Sequence, residues 1–102
     1  MEAIQYRPEE THRAFSEQEL GALCRALGNP VRVQMLRLLM ENGSLICREM
    51  VEALPLAQST VSQHLKVLRE ADLVVGISDG PRRSYRVNDQ RLDRFKDLVN
   101  VL

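Results

Sequence analysis

The segment from residue 58 to residue 69 concentrates small polar and basic side chains that could hydrogen-bond to an extended partner. An α-helix turns about 100° per residue, so a helix here places Val61, Leu65 and Leu68 on one side and the polar groups opposite them. With the flanking positions included, the candidate contact residues are Gln58, Ser59, Thr60, Ser62, Gln63, His64, Lys66 and Arg69. Amide and hydroxyl groups suit the base edges of a DNA major groove, and cations suit its phosphates. A solvated amphipathic helix would show the same pattern, so the helix alone leaves both interpretations open.

Two adjacent arginines follow a turn sequence shortly after this helix. Residues 73–77 are rich in β-branched side chains, residues 84–87 alternate, and Asp79-Gly80 between them is typical of a two-residue hairpin turn. Arg82 and Arg83 would then extend two guanidinium groups together from the tip, where they suit phosphates or a minor groove. A charged turn is usually only solvated. This one directly follows two helices joined by a tight connection, and that order is typical of a winged helix-turn-helix that binds DNA.

The first helix is expected to start at a capping box. Ser16 can cap it, and the carboxylate of Glu19 can reach back to the same turn. The helix then runs to about Leu27, and Gly28 is expected to end it in a left-handed conformation. The apolar row that should be buried is Leu20, Leu23, Cys24 and Leu27.

Four further helices complete the expected fold. Their boundaries are predicted as Pro30 to Asn42, a two-turn helix closed by Pro55, the segment 58–69 with Ser59 or a neighbour as N-cap, and a last helix starting at Asn88 or Asp89. The fold class is therefore mainly α with a small β-hairpin, a winged helix-turn-helix of about five helices plus the wing. Residues 1–15 are interpreted as a flexible N-terminal arm, and residues 16–102 as one DNA-binding and dimerisation domain.

The length and the charge of the chain restrict its possible functions further. The chain has 102 residues, 44% of them hydrophobic, which suits one compact domain. Fourteen basic residues balance fourteen acidic ones, which argues against a protein that coats nucleic acid without selectivity. Residues 58–87 nevertheless carry two more basic than acidic residues, so the positive charge coincides with the candidate contact region. No apolar run is long enough for a membrane span or a signal peptide, so we expect a cytoplasmic protein without a membrane partner.

Cys24 and Cys47 are the residues that could sense a soft metalloid or an oxidant. They are too few and too far apart for a disulfide framework, which fits a reducing compartment. Cys24 can equally be a small apolar residue of the first helix, and Cys47 a partly buried spacer. If Cys47 lies near a helix N-terminus it would be the more reactive thiol, and His12 could add a ligand from a second subunit.

An enzymatic interpretation has little support. Ser62 and His64 are two residues apart on one helix, so their side chains do not face each other. The sequence also has no glycine-rich phosphate loop. We therefore expect no catalytic residues.

Three segments resemble the ArsR-type bacterial winged-helix repressors: ALGNPVRVQMLRLL (26–39), STVSQHLKVLREADLV (59–74) and GPRRSYRV (80–87). The resemblance implies a recognition helix from Gln58 to Arg69 and a wing from Gly76 to Arg86. It also implies a homodimer built on the first and last helices, which here offer Leu20, Leu23, Leu92, Phe95, Leu98 and Val99. Such a dimer would repress at an inverted-repeat operator on double-stranded DNA until a small inducer lowers its affinity. Asp72 stands where the family usually has glycine at a helix C-terminus.

The metal sites of that family do not match this sequence. At the family's Cys-x-Cys position the chain has Ile46 and Arg48, with Cys47 between them. Residues 89–102 contain no histidine or cysteine, so the zinc-type site of the last helix is not expected either. The inducer therefore stays unassigned, with metalloid or thiol-redox sensing through Cys24 and Cys47 as one hypothesis. A winged-helix module that binds proteins, without sequence-specific DNA binding, is the alternative function.

Overall fold

A computed structural model describes residues 14–102 and contains five helices and three strands. In chain order these are α1 (Glu17–Leu27), α2 (Pro30–Asn42), β1 (Leu45–Ile46), α3 (Cys47–Ala53), α4 (Gln58–Glu70), β2 (Val74–Asp79), β3 (Arg82–Val87) and α5 (Asp89–Asn100). The predicted fold class is confirmed. Nearly all of the predicted arm, including His12, lies outside the described residues. Within residues 14–102, no helix combines the length and the apolar character needed to cross a membrane.

All five helices and the hairpin contribute to one core. The buried apolar side chains are Leu20, Leu23, Ala26, Met35, Leu36, Leu39, Met50, Leu54, Val61, Leu65, Leu68, Leu73, Val74, Val87 and Leu98. The buried row of α4 is the predicted one. On α1, Leu20 and Leu23 are buried as predicted and Leu27 is partly buried, but the prediction was wrong at Cys24, which is exposed, while Ala26 is buried. The spacing of Leu20, Leu23 and Ala26 turns the buried side of α1 away from Cys24.

The N-terminus of α1 confirms half of the predicted capping box. The Ser16 hydroxyl accepts a hydrogen bond from the Glu19 backbone N–H at 3.1 Å. The Glu19 carboxylate does not reach back as expected, and instead accepts from Arg91 at 2.5 Å and from Arg94 at 2.8 Å on α5. Two guanidinium donors are stronger partners for a carboxylate than one backbone amide. The ion pairs therefore join α1 to α5.

The junction of α1 and α2 differs from the prediction at one residue. Gly28 has φ −81°, so it is not left-handed. A side chain at Gly28 would instead bring Cβ to 3.0 Å from the Cys24 carbonyl oxygen, and this close approach explains the glycine. Asn29 caps α2, since its Oδ1 accepts from the N–H groups of Val31 and Arg32, and Pro30 occupies the first turn as predicted.

The helix-turn-helix consists of α3 and α4. Ser59 or a neighbour was predicted as the N-cap of α4. The residue before α4 is Ala57, two positions earlier than Ser59, and its side chain makes no capping hydrogen bond. Ser59 therefore lies within the first turn of α4 and is exposed. This placement leaves its hydroxyl on the surface, next to the other polar groups of α4.

The three strands form an antiparallel sheet in the order β1-β3-β2. β1 was not predicted, because a strand of two residues is too short to show alternation. In the hairpin Asp79 pairs with Arg82, so Gly80-Pro81 forms the turn, one residue later than expected.

Two residues after the end of α4, the backbone adopts a left-handed conformation. Asp72 has φ 61°. Its N–H donates to the Arg69 carbonyl at 2.9 Å, and the N–H of Leu73 donates to the Leu68 carbonyl at 2.9 Å. This is the Schellman arrangement, in which the left-handed position is usually glycine. An aspartate there keeps the hydrogen bonds but crowds its own Cβ against the backbone.

We therefore expect Asp72→Gly to raise the free energy of unfolding by about 0.5–1 kcal/mol. Urea unfolding followed by circular dichroism measures the change. Ala71→Gly is the matched control, because Ala71 has an ordinary φ of −88° and glycine there should lower stability. A loss of stability in Asp72→Gly would contradict the argument from backbone strain.

Candidate nucleic-acid interface

The predicted contact residues of α4 and the wing reach the surface. Those that are exposed are Gln58, Ser59, Ser62, Gln63, Lys66, Arg69, Arg82 and Arg83, whereas Thr60 and His64 are partly buried. Val61, Leu65 and Leu68 anchor α4 to the core, with exposures of 0%, 3% and 0%. Because these anchors fix the rotation of α4, the polar face points outward.

A basic groove separates α4 from the hairpin. Its volume is about 620 Å³, and its lining residues are Ser62, Lys66, Arg69, Glu70, Val74, Val75, Gly76 and Arg83. We call it the α4–wing groove. Three cations and one carboxylate line it, so its charge is positive although that of the whole chain is zero. A positive groove beside a polar helix face suits a phosphate backbone next to a row of bases.

Gly76 positions one of these cations, a role that sequence reasoning missed. A Cβ at Gly76 would lie 2.7 Å from Nε of Arg83 and 2.8 Å from a terminal nitrogen. The guanidinium also lies 5.8 Å from the centroid of the Tyr85 ring, within the range of a cation–π interaction. The missing side chain of Gly76 thus lets Arg83 fold across the sheet toward α4. Glycine inside a strand often marks such a close approach, and this signal was present in the sequence.

The two wing arginines do not project together as predicted. They are consecutive residues of β3, and consecutive strand residues point to opposite faces of a sheet. Arg83 lines the α4–wing groove, whereas Arg82 lines a smaller cleft with Glu49 and Asp79. The alternation of β3 therefore gives the two guanidinium groups different surroundings.

Arg32 is a second functional candidate that sequence reasoning missed. It lies in the first turn of α2 and hydrogen-bonds to His64 on α4. A cation in the first turn opposes the dipole of its own helix, and the first turn of α2 has no acidic residue. That conflict was visible in the sequence and indicates a partner outside α2.

The six residues assigned to dimerisation fall into two groups. Leu20, Leu23 and Leu98 are 8%, 0% and 1% exposed, so they belong to the core of the single chain. Leu92 and Phe95 are partly buried against that core, and Val99 is 47% exposed. A dimer surface on α1 and α5 stays a prediction, and Val99 is the member of the set best placed to form it.

The two cysteines lie on different elements. Cys24 is exposed on α1, and Cys47 is partly buried at the start of α3, with Sγ 3.9 Å from the Ser62 hydroxyl on α4. Among residues 14–102 the structure contains no cluster of three or more histidine, cysteine, aspartate or glutamate side chains able to hold a metal ion. Sensing through either thiol stays a prediction.

Comparison with known proteins agrees with this geometry. The family described as "Bacterial regulatory protein, arsR family" matches residues 29–75, from the N-cap of α2 into β2. An uncharacterized HTH-type transcriptional regulator of Methanocaldococcus jannaschii is 32% identical over 85 residues, covering 83% of this chain and 96% of its own length. The HTH-type transcriptional repressor SmtB of Mycobacterium tuberculosis is 42% identical over 72 residues, covering 71% of this chain and 53% of its own length.

A solved structure described as a possible transcriptional regulator for arsenical resistance has the same fold. It superimposes with a TM-score of 0.69 at 32% identity, covering 76% of this chain and 79% of that chain. The fold, the polar face of α4 and the matched relatives lead to one assignment. The chain belongs to the arsR family of bacterial regulatory proteins, a family of DNA-binding transcriptional repressors and not of enzymes.

Proposed function

We propose that the protein is a cytoplasmic homodimeric repressor that binds an inverted-repeat operator and leaves it when an inducer binds. The observation that carries the proposal is the exposed polar face of α4 beside the positive α4–wing groove. Ser59 and Gln63 would meet base edges, and Gln63 can make the bidentate contact that suits adenine. Lys66, Arg69 and Arg83 would hold the phosphates that border those bases.

The proposed operator symmetry follows from the dimer. Two copies of α4 related by a two-fold axis would enter successive major grooves about 34 Å apart, so the two half-sites must be inverted repeats. The end of α5 offers an apolar surface for that dimer, since Val99, Val101 and Leu102 are 47%, 65% and 82% exposed. Phe15 adds a further exposed ring, 37% accessible, just before α1. Covering these side chains with a second copy removes apolar area from water.

Release by an inducer requires two states of the dimer. An inducer lowers operator affinity only by the difference between its affinities for the DNA-free and DNA-competent states. Its site is unassigned, and Cys24 and Cys47 are the thiol ligands that the described residues could offer.

Val99→Asp tests the dimer and the operator together. Because the side chain is exposed in the single chain, the fold should survive, whereas a buried carboxylate at the interface should dissociate the dimer. We expect a monomer in sedimentation equilibrium. We also expect at least ~100-fold weaker binding to an inverted repeat selected from random duplexes, because the two half-sites are no longer bound jointly.

Asn100→Asp is the matched control, since it adds the same charge at the neighbouring exposed position. It should stay dimeric and bind normally. A monomeric wild-type protein, or a Val99→Asp monomer that binds the inverted repeat as tightly, would contradict the proposal. If the wild-type dimer selects no sequence from the duplex pool, the protein-binding alternative is favoured instead.

A further inference from the structure

Arg32 binds three acceptors that belong to two other helices. Its Nε donates to the Ala26 carbonyl at 2.5 Å, and one terminal nitrogen donates to the Arg25 carbonyl at 3.1 Å. The other terminal nitrogen lies 3.2 Å from Nδ1 of His64. The first two bonds fix the guanidinium at the C-terminal end of α1, where the helix dipole favours a cation. The Arg32 guanidinium is therefore held in place by α1 when it hydrogen-bonds to His64.

The chemistry of this pair decides which nitrogen of His64 carries the proton. A guanidinium group donates hydrogen bonds and cannot accept them, so Nδ1 of His64 must be the acceptor. The proton of the neutral ring is then on Nε2. His64 consequently presents a donor at the edge of the ring that Arg32 does not occupy.

His64 lies on the flank of α4 that turns away from the wing. At about 100° per residue, His64 and Thr60 project to one flank, whereas Ser62 and Arg69 project to the other. A helix about 10–12 Å across nearly fills a major groove about 12 Å wide, so both flanks approach a phosphate backbone. In the proposed complex the α4–wing groove faces the phosphate backbone of one DNA strand. Thr60 and His64 are the polar side chains that α4 directs toward the backbone of the other strand.

We propose that Arg32 is a positioning residue that makes His64 a dedicated hydrogen-bond donor to a DNA phosphate oxygen. The inference rests on the proposed function, because it requires α4 to lie in the major groove. An imidazole whose Nδ1 accepts from Arg32 carries one proton, on Nε2, and is uncharged. The hydrogen bond from His64 to the phosphate is therefore one from a neutral donor. This hydrogen bond would constrain the orientation of α4 on the DNA without adding a positive charge to the interface.

NMR of the free protein tests the pairing without DNA. The chain has two histidines, so His12→Gln leaves His64 as the single imidazole, and its ¹⁵N shifts distinguish the protonated nitrogen. In the pH range where the ring is neutral, we expect the proton on Nε2 alone. Arg32→Lys keeps the charge but not the planar fork, and should populate the Nδ1-protonated form as well. Identical tautomer populations with and without Arg32→Lys would overturn the pairing.

Affinity for a duplex selected by the wild-type protein tests the phosphate contact. We expect His64→Leu to lose roughly tenfold in affinity, with its salt dependence unchanged, because a neutral donor displaces no counterion. His64→Gln is the matched control, since its amide can accept from Arg32 and donate outward, and it should stay within about threefold of wild type. A flatter salt dependence in His64→Leu, or an equal loss in His64→Gln, would overturn the assignment.

A double-mutant cycle separates positioning from direct contact. Arg32→Lys should weaken binding in the wild-type background and have no further effect in the His64→Leu background. Additive losses would mean that Arg32 acts independently of His64, which overturns its role as a positioning residue. If the wild-type protein selects no duplex, the proposed function and the phosphate contact both fail, and the NMR result still decides the pairing.

Discussion

Replacing Lys66 and Arg83 by glutamine is expected to reduce DNA affinity by at least ~100-fold at physiological salt and to flatten its salt dependence. Both cations line the α4–wing groove. Each phosphate contact contributes about 0.9 to the slope of log affinity against log salt, so two cations in each of two copies should lower the slope by roughly 3 to 4. Fluorescence anisotropy with a selected duplex at several salt concentrations measures both quantities.

The matched control removes the same charges elsewhere. Arg37→Gln with Lys96→Gln also takes away one arginine and one lysine, both exposed, from α2 and α5. We expect this variant to keep a slope close to that of wild type. Equal slopes in the two double variants would show that the protein responds to total charge and not to the α4–wing groove, which would contradict the proposed interface.

The same anisotropy measurement tests whether Gly76 positions Arg83 for DNA binding. Gly76→Ala should displace the Arg83 guanidinium, because the new Cβ would lie within 2.7 Å of it. The fold should tolerate this change, since the displaced atoms are the end of a flexible side chain. We therefore expect Gly76→Ala to lower DNA affinity, but by less than the replacement of Arg83 by glutamine.

Glu19→Gln is expected to lower the free energy of unfolding by about 2 kcal/mol at neutral pH. The Glu19 carboxylate accepts from Arg91 at 2.5 Å and from Nε and a terminal nitrogen of Arg94 at 3.1 and 2.8 Å. The side chains of Glu19, Arg91 and Arg94 are 23%, 26% and 22% exposed, between a surface pair and a buried one. The expected magnitude accordingly lies between about 1 kcal/mol for surface pairs and 3–5 kcal/mol for buried pairs.

The contribution of Glu19 depends on pH. The hydrogen bond from Arg94, opposed by partial burial and supported by the hydrogen bond from Arg91, holds the pKa of Glu19 below its ordinary value of 4.5. The stabilisation is therefore complete above the unfolded-state pKa and is lost as the pH falls through the lower folded-state pKa. Wild type and Glu19→Gln should converge in stability in acid, as measured by urea unfolding at fixed protein concentration.

Glu17→Gln provides the control for Glu19→Gln. Glu17 lies in the same first turn of α1 and is exposed, so the variant loses a similar interaction with the helix dipole but no ion pair. Its stability should stay within about 0.5 kcal/mol of wild type. A Glu19→Gln variant as stable as Glu17→Gln, or one that does not converge with wild type in acid, would contradict the stabilising role of the ion pairs.

Local spacing predicted the elements that matter most for function. The repeat of Val61, Leu65 and Leu68 at helical spacing identified both the buried side of α4 and, by exclusion, its polar face. The order of two helices and a hairpin identified the winged fold. Each of these features is encoded in residues close together in the chain.

What only the tertiary structure decided involves residues far apart in the chain. Glu19 could cap its own helix or bind α5, and the sequence could not choose, because its partner Arg91 lies 72 positions away. The burial of Ala26 instead of Cys24 likewise depends on which helices pack against α1. By itself the sequence determined the fold class, the polar face of α4 and the positive segment, since periodicity and local charge encode them. Packing decided how Gly76 directs Arg83 and how Arg32 holds His64, because such contacts form only when separate elements meet in space.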